Sequence, residues 1–328
     1  MSDARPRIGV SACLLGEPVR FDGNHKRDTF LVDVLGPHVR WVPVCPEMEA
    51  GFGTPREPMR LVRPGPRTRS RPRRFDPADL VLVVTRTGAN VTEPLVSKAR
   101  ERVEWLAAQD LCGFVLKKDS PSCGMERVKV YVGETAERRG RGLFAEALIA
   151  RLPNLPIEEE GRLSDAGLRE NFVERVFAYQ RLRTLFGSRW TLDDLVRFHA
   201  AHKLTLMAHA PAAYGSLGRL VAGAKRRPGN GLATEYEAGF MQALSAVATP
   251  ARHGTVFHHM LGYLRKGLDM PSRAELLSVV DDHRRGRVPL VVPLTLFRHH
   301  VRRLGIDDLR TQTYLNPHPR ELSLRSHV

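Results

Sequence analysis

The chain has 328 residues, 42% hydrophobic and 27% charged, a composition that excludes disordered and fibrous classes and suffices for two packed domains. No apolar run reaches the roughly 20 residues that span a bilayer, so the expectation is a soluble, cytoplasmic protein without a membrane partner. The formal net charge of +15 favours a polyanionic partner.

In chain order, the apolar run Ile8 to Ala12 reads as a short buried strand ending at Cys13, and Trp41 to Val44 as a second ending at Cys45. From Arg56 to Arg74, the arginines Arg56, Arg60, Arg63, Arg67, Arg69, Arg71, Arg73 and Arg74 face the single acid Glu57, interleaved with Pro58, Pro64, Pro66 and Pro72. The prolines exclude a helix, and the stretch 56–74 reads as an extended arm suited to phosphate or as a solvated linker. Phe114 to Leu116 is a third strand, preceded by Cys112 and followed one loop later by Cys123 in Ser120-Pro121-Ser122-Cys123-Gly124. Arg138, Arg139 and Arg141 form a second basic cluster. After Glu158-Glu159-Glu160 the period changes from strand to helix. Residues 161–188 read as a connecting helix, with an apolar stripe of Phe172, Val176, Tyr179, Leu182 and Leu185. Further helices follow at Leu192 to Ala208, Tyr214 to Lys225, Leu232 to Ala248, Val256 to Leu268, Ser272 to Arg285 and Leu290 to Leu304, punctuated by prolines. The fold class expected is α/β, with an N-terminal Rossmann-like, mostly parallel sheet over 1–160 and an all-α domain over 189–328.

In an open parallel sheet the carboxyl ends of the strands share one edge, so Cys13, Cys45 and Cys123 can converge there while Cys112 lies toward the other edge. Disulfides need pairs and an oxidising compartment, which four cysteines without a signal peptide do not suggest. Structural zinc normally shows Cys-x-x-Cys spacing, absent here. Buried thiols serving only as small apolar groups are the bland alternative. Against that stand the turn-forming neighbours Gly16, Pro46, Pro121 and Gly124.

The segments Ser11 to Gly16, Phe21-Asp22-Gly23, Cys45-Pro46-Glu47, Gly53-Thr54-Pro55-Arg56 and Lys117 to Gly124 resemble the bacterial thiouracil desulfidase (TudS) family over about residues 5–160. The resemblance implies a 4Fe-4S cluster held by Cys13, Cys45 and Cys123, a catalytic carboxylate at Glu47 and a catalytic hydroxyl at Ser120. Its fourth iron, lacking a protein ligand, would take the sulfur of a thiolated pyrimidine. Thiolates are soft ligands suited to such a centre, and a carboxylate two residues from one of them is placed to activate water. Capping or turn roles are the alternatives for Glu47 and Ser120.

Residues 189–325 resemble the YbgA-like domain, on Phe198 to Lys203, His209, Tyr214, His258 to Tyr263, Pro289 to Leu296, Gln312 to Leu315 and Pro317. The fused architecture resembles bacterial tRNA 4-thiouridine desulfidases (RudS-like), which implies tRNA as partner and substrate. His199, His202 and Lys203 share one helix face, which suits RNA contact or, equally, hydrogen bonding at a helix interface. Arg67, Arg69, Arg71, Arg73 and Arg74 complete the expected RNA-binding set. Two alternatives accompany this reading: desulfuration of free thiouracil, with small thiolated pyrimidines as substrates, and a non-catalytic iron-sulfur RNA-binding protein.

Overall fold

The computed structural model describes residues 5–65, 74–224 and 229–328, and the chain divides into two compact units, Met1–Ser164 and Asp165–Val328. In the first unit the elements run β1 Arg7–Ser11, β2 Arg40–Val44, α1 Pro46–Glu49, β3 Met59–Val62, β4 Val81–Val84, α2 Thr92–Ala107, β5 Leu111–Leu116, β6 Val128–Val132, β7 Thr135–Gly140, α3 Leu143–Arg151 and β8 Ile157–Glu159.

One sheet has the order β2-β1-β5-β8, and all its pairings are parallel. Every residue of β5 is buried, as expected of a strand covered on both faces. Helix α2 covers this unit with Leu95, Ala99, Val103 and Leu106, one apolar stripe at helical spacing. Gly9 leaves room for the Phe114 ring of the neighbouring strand, where a Cβ would meet the ring at 2.2 Å. The order also locates a crevice. From β1 the chain moves outward to β2, whereas from β5 it moves the opposite way to β8, so the carboxyl ends of β1 and β5 flank the point where the winding reverses.

The second sheet, β4-β3-β6-β7, pairs β3 with β6 in parallel and its other neighbours antiparallel. Its core gathers Leu61, Leu82, Val128, Val130 and Val132 with Phe75 and Leu80. This sheet corrects the expectation of an arm beginning at Arg56. Met59, Leu61 and their neighbours form β3, Arg60 stacks over Tyr131 at 4.8 Å, and Arg63 lies 3.8 Å from Asp79. Four apolar-alternating residues within the arginine-rich stretch find two strand partners, and backbone pairing overrides the linker-like composition.

The second unit is helical: α4 Ala166–Phe186, α5 Leu192–Ala201, α6 Lys203–His209, α7 Pro211–Ala222, α8 Gly229–Leu244, α9 Pro250–Leu264, α10 Met270–Arg284, α11 Val291–Leu304 and α12 Asp307–Arg310. Polar caps start several of them. Asp165 accepts from the Leu168 amide, Thr191 and Asp194 form a capping box, and Thr249 and Asp269 accept from Arg252 and Ser272 amides. Helix α4 packs within this unit, with Phe172, Val173, Val176 and Leu182 buried and Asn171 bonded to the Leu244 carbonyl at 3.0 Å. The expected single helix Leu192 to Ala208 is interrupted at His202, whose φ of −100° and ψ of 7° break the spiral between α5 and α6. No helix among the described residues is long and apolar enough to cross a membrane.

Candidate iron-sulfur site

Cys13 follows the end of β1 after Ala12, in a helical turn closed by Gly16 in the left-handed region at φ 102°. Cys45 directly follows β2 and caps the short helix α1, which carries Glu47 in its first turn. Cys123 comes from the loop after β5. There Gly124 donates to the Ser120 carbonyl at 2.9 Å, and the start of α3 docks on the loop through its backbone amides. Leu143 donates to the Pro121 carbonyl, Phe144 and Ala145 to that of Ser122, and Gly142 to that of Gly124. The helix end's unsatisfied N–H groups thus fix the cysteine loop.

All three cysteines line one cavity of ≈340 Å³, together with Glu47, Ser120 and Ser122. None of the four cysteines is in a disulfide, and Cys112, second residue of β5, lies outside the cavity lining. Burial pushes the Cys13 and Cys45 thiols up to about 11, the Lys117 ammonium partly opposing this at Cys13 and backbone amides at Cys45. Cys123 is raised further by burial, by Glu47 and by the other two thiols, partly opposed by a hydrogen bond with Ser11. Such groups become thiolates when a cation replaces their protons.

The donor set fits a multi-iron group better than one ion. Four thiolates around a single zinc, at Zn–S of about 2.3 Å, stand only about 4 Å apart. Among the described residues no three Cys, His, Asp or Glu side chains gather so tightly. Three soft sulfurs facing a shared cavity from separate strand ends suit a cluster whose irons occupy separate corners.

Beside the thiols lies a chain of polar contacts. The Arg56 guanidinium ion-pairs with Glu47 Oε2 and donates to the carbonyls of Gly53 at 2.7 Å and Val19 at 3.1 Å. Ser122 Oγ donates to Glu47 Oε1, and Ser120 Oγ lies 2.9 Å from Ser122 Oγ. Because the single proton of Ser122 goes to the carboxylate, the Ser120 hydroxyl is the donor in the second contact. Ser120 Oγ also accepts from the Cys123 amide at 3.1 Å. Arg56 and Ser122 were not among the site residues expected from sequence. The signals available were Arg56 closing Gly53-Thr54-Pro55-Arg56 and Ser122 alternating with Ser120.

The model of the family described as 2-thiouracil desulfurase matches residues 8–160, and that described as a protein of unknown function, DUF1722, matches residues 203–319. Uncharacterized protein YbgA of Escherichia coli (strain K12) is 31% identical over 152 residues, which cover 46% of this chain and 90% of that protein. The chain belongs to the YbgA family and carries a 2-thiouracil desulfurase domain. Uncharacterized protein YbbK of Bacillus subtilis (strain 168) is 27% identical over 163 residues, 48% of this chain and 98% of that protein. The solved structure of a 4Fe-4S-dependent thiouracil desulfidase, TudS, is 30% identical, with a TM-score of 0.38, covering 51% of this chain and 99% of that one.

The basic residues expected to meet RNA fare differently. Arg67, Arg69, Arg71 and Arg73 lie outside the described residues. Arg74 pairs with Glu146 at 2.9 Å, as does Arg141 at 3.2 Å, while Arg138 pairs with Asp119 and Arg139 with Glu137. In the YbgA-like unit the histidine stripe turns inward, which corrects its reading as an RNA surface. His199 bonds through Nδ1 to the Tyr236 hydroxyl at 3.0 Å. His202, 1% exposed, donates from Nδ1 to the Phe198 carbonyl and accepts from Arg181 Nε at Nε2. Burial and the Arg181 charge push it down to about 3. His209 bonds the Ala246 carbonyl and Glu174. Lys203 is half-buried, its Nζ donating to the Tyr263 hydroxyl at 3.2 Å. A helix face at i, i+3 spacing has no stated direction in sequence, and here packing of α5 and α6 against aromatic neighbours decided it.

Proposed function

We propose that the chain is an iron-sulfur-dependent desulfidase that converts 4-thiouridine in tRNA to uridine and releases sulfide, without net electron transfer. The observation that carries the chemistry is the convergence of Cys13, Cys45 and Cys123 on one cavity of a 2-thiouracil desulfurase domain, beside a carboxylate held in place by Arg56 and Ser122. The three cysteines would hold a 4Fe-4S cluster, the cofactor on which the TudS relative depends. Such a cluster, when bound, supplies an iron without a protein ligand, a Lewis acid for a soft thiocarbonyl sulfur.

The residues of the chain do the rest. Glu47 accepts a proton from the water that adds to the sulfur-bearing carbon, and its Oε1 and Oε2 are oriented for this by Ser122 and Arg56. Ser120, at the cavity wall, donates its hydroxyl proton to Ser122 and so supports the serine that orients the base. Carbon exchanges its bond to sulfur for one to the water oxygen, and both protons of the water leave with the sulfide.

Two observations support tRNA as the substrate: the net charge of +15 and the YbgA-like unit carried beside the desulfurase domain. A free thiobase would need neither. The family description favours the second reading, free thiouracil. Anaerobic reconstitution, followed by parallel addition of 4-thiouridine-containing tRNA and free thiouracil, tests both. Nucleoside mass spectrometry showing thiouridine converted to uridine with matching sulfide release, lost in Cys123→Ala, is the expected result. Turnover of the free base alone moves the function to thiobase salvage. Turnover of neither leaves an iron-sulfur RNA-binding protein.

A further inference from the structure

Four consecutive residues after α12, Tyr314 to Pro317, each accept a hydrogen bond from a different arginine. Arg325 donates to the Tyr314 carbonyl at 2.6 Å, Arg298 to that of Leu315, Arg320 to Asn316 Oδ1 at 2.9 and 3.1 Å, and Arg181 to the Pro317 carbonyl at 2.8 Å. Arg302, one turn beyond Arg298 on α11, donates to the Arg298 carbonyl at 3.3 Å and so extends the group along the helix. Only Arg325 is matched by carboxylates, Glu170 at 2.7 Å and Glu174 at 3.3 Å, all three buried.

Among the described residues, Arg298, Arg302 and Arg320 have no carboxylate within 4 Å, whereas Arg162, Arg197, Arg285 and Arg310 of the same chain each have one. Arg302 and Arg320 are exposed and Arg298 half-buried with its Nε unpartnered. Burial and the charges of Arg325, Arg320 and Arg302 push the Arg298 guanidinium down to about 10, so its strongest electrostatic neighbours are all of its own sign. Like charges held together by neutral oxygen acceptors repel. An anion placed among them removes that cost, and guanidinium forks match phosphate oxygens.

We propose that the Arg298, Arg302 and Arg320 surface of the helical unit is an RNA-phosphate site. The proposal rests on the reading of a tRNA substrate and replaces the histidine stripe as its contact surface. A backbone phosphate, rather than an acidic peptide, is favoured because a tRNA substrate and a net charge of +15 both bring phosphate to this chain.

The test uses the reconstituted full chain and an unmodified tRNA transcript, whose binding is followed by fluorescence anisotropy across salt concentrations. At 0.15 M salt each phosphate contact is worth about fivefold in affinity and about 0.9 in the slope of log K against log salt. R302Q/R320Q should therefore weaken binding about 25-fold and flatten the slope by about 2. R302K/R320K, which keeps the charge, should retain the slope. R197Q/R285Q, which removes two arginines already paired with Asp193, Asp194 and Asp281, should change neither. Free thiouracil turnover by R302Q/R320Q should equal that of the parent, which separates loss of RNA contact from loss of fold or of the desulfidase reading. Unchanged affinity and slope in R302Q/R320Q would overturn the site. So would competition by polyglutamate as strong as that by RNA, which would make the surface an acidic-protein contact.

Discussion

Gly142 is the residue on which the position of Cys123 turns. Its φ of −66° and ψ of 145° suit any residue, so the demand for glycine is spatial. A Cβ there would meet the Ser122 carbonyl oxygen at 2.3 Å, its carbon at 2.4 Å and the Cys123 nitrogen at 2.9 Å. All three are backbone atoms, which cannot rotate away as a side-chain tip can. In Gly142→Ala the loop and the start of α3 must separate by about 1 Å to restore ordinary contact, the scale on which overpacking costs about 1–3 kcal/mol. The separation also stretches the amide contacts from Leu143, Phe144 and Ala145, so Cys123 Sγ moves relative to Cys13 and Cys45. Thermal denaturation of the chain before reconstitution, paired with iron and sulfide analysis afterwards, reads both effects. The expected result is a lowered first transition and iron content below half of the parent's. Gly262→Ala serves as control. It lies exposed in α9 with no atom within 4 Å of its added Cβ, so helix propensity alone should stabilise by about 1 kcal/mol without touching iron content. A Gly142→Ala chain that melts and binds iron like the parent would refute the argument that α3 clamps the cysteine loop.

Three other outcomes are expected. Cys13→Ser, Cys45→Ser and Cys123→Ser should each lower bound iron, whereas Cys112→Ser, outside the cavity lining, should leave it unchanged; iron analysis after anaerobic reconstitution checks this. Glu47→Gln should retain iron yet lose thiouracil turnover by at least about 100-fold, the lower end of general-base contributions, as measured by sulfide release. Urea unfolding of the helical unit should show its midpoint falling as pH drops below about 6.5. There His202 and His253, both pushed down to about 3 chiefly by burial, stay neutral when folded but take up protons when unfolded. His209 opposes this, since contact with Glu174 outweighs burial and raises it, contributing stability below about 6.5 that is lost at higher pH. Below about pH 4 the fall should steepen. At Glu170, Arg325 and His318 overcome burial and hold the carboxyl well below its usual range, so its contribution exists above the unfolded value and disappears as pH falls. A midpoint flat from pH 7 to 4 would contradict these buried-histidine assignments.

The α/β and then helical order is legible in the residues alone, as is the placing of three cysteines at one edge of the parallel sheet. Both follow from local causes: apolar runs ended by turn residues make strands, and parallel strands present their carboxyl ends together. Which partners those residues meet depends on packing between elements far apart in the chain. Arg56 reads as the first residue of a basic arm, but it turns into the cavity because Glu47, Gly53 and Val19 accept its guanidinium there. Met59–Val62 becomes a strand because β4 and β6 supply its missing hydrogen bonds. His199 and His202 share a face by spacing, yet spacing carries no information about whether that face meets water or aromatic rings. Arg298 and Arg320, 22 positions apart, become neighbours because a short segment between them offers adjacent oxygen acceptors. Periodicity records the interactions a residue has with its own turn or strand, whereas burial and ion pairing depend on groups distant in the chain, whose approach is fixed only when the elements of each unit pack.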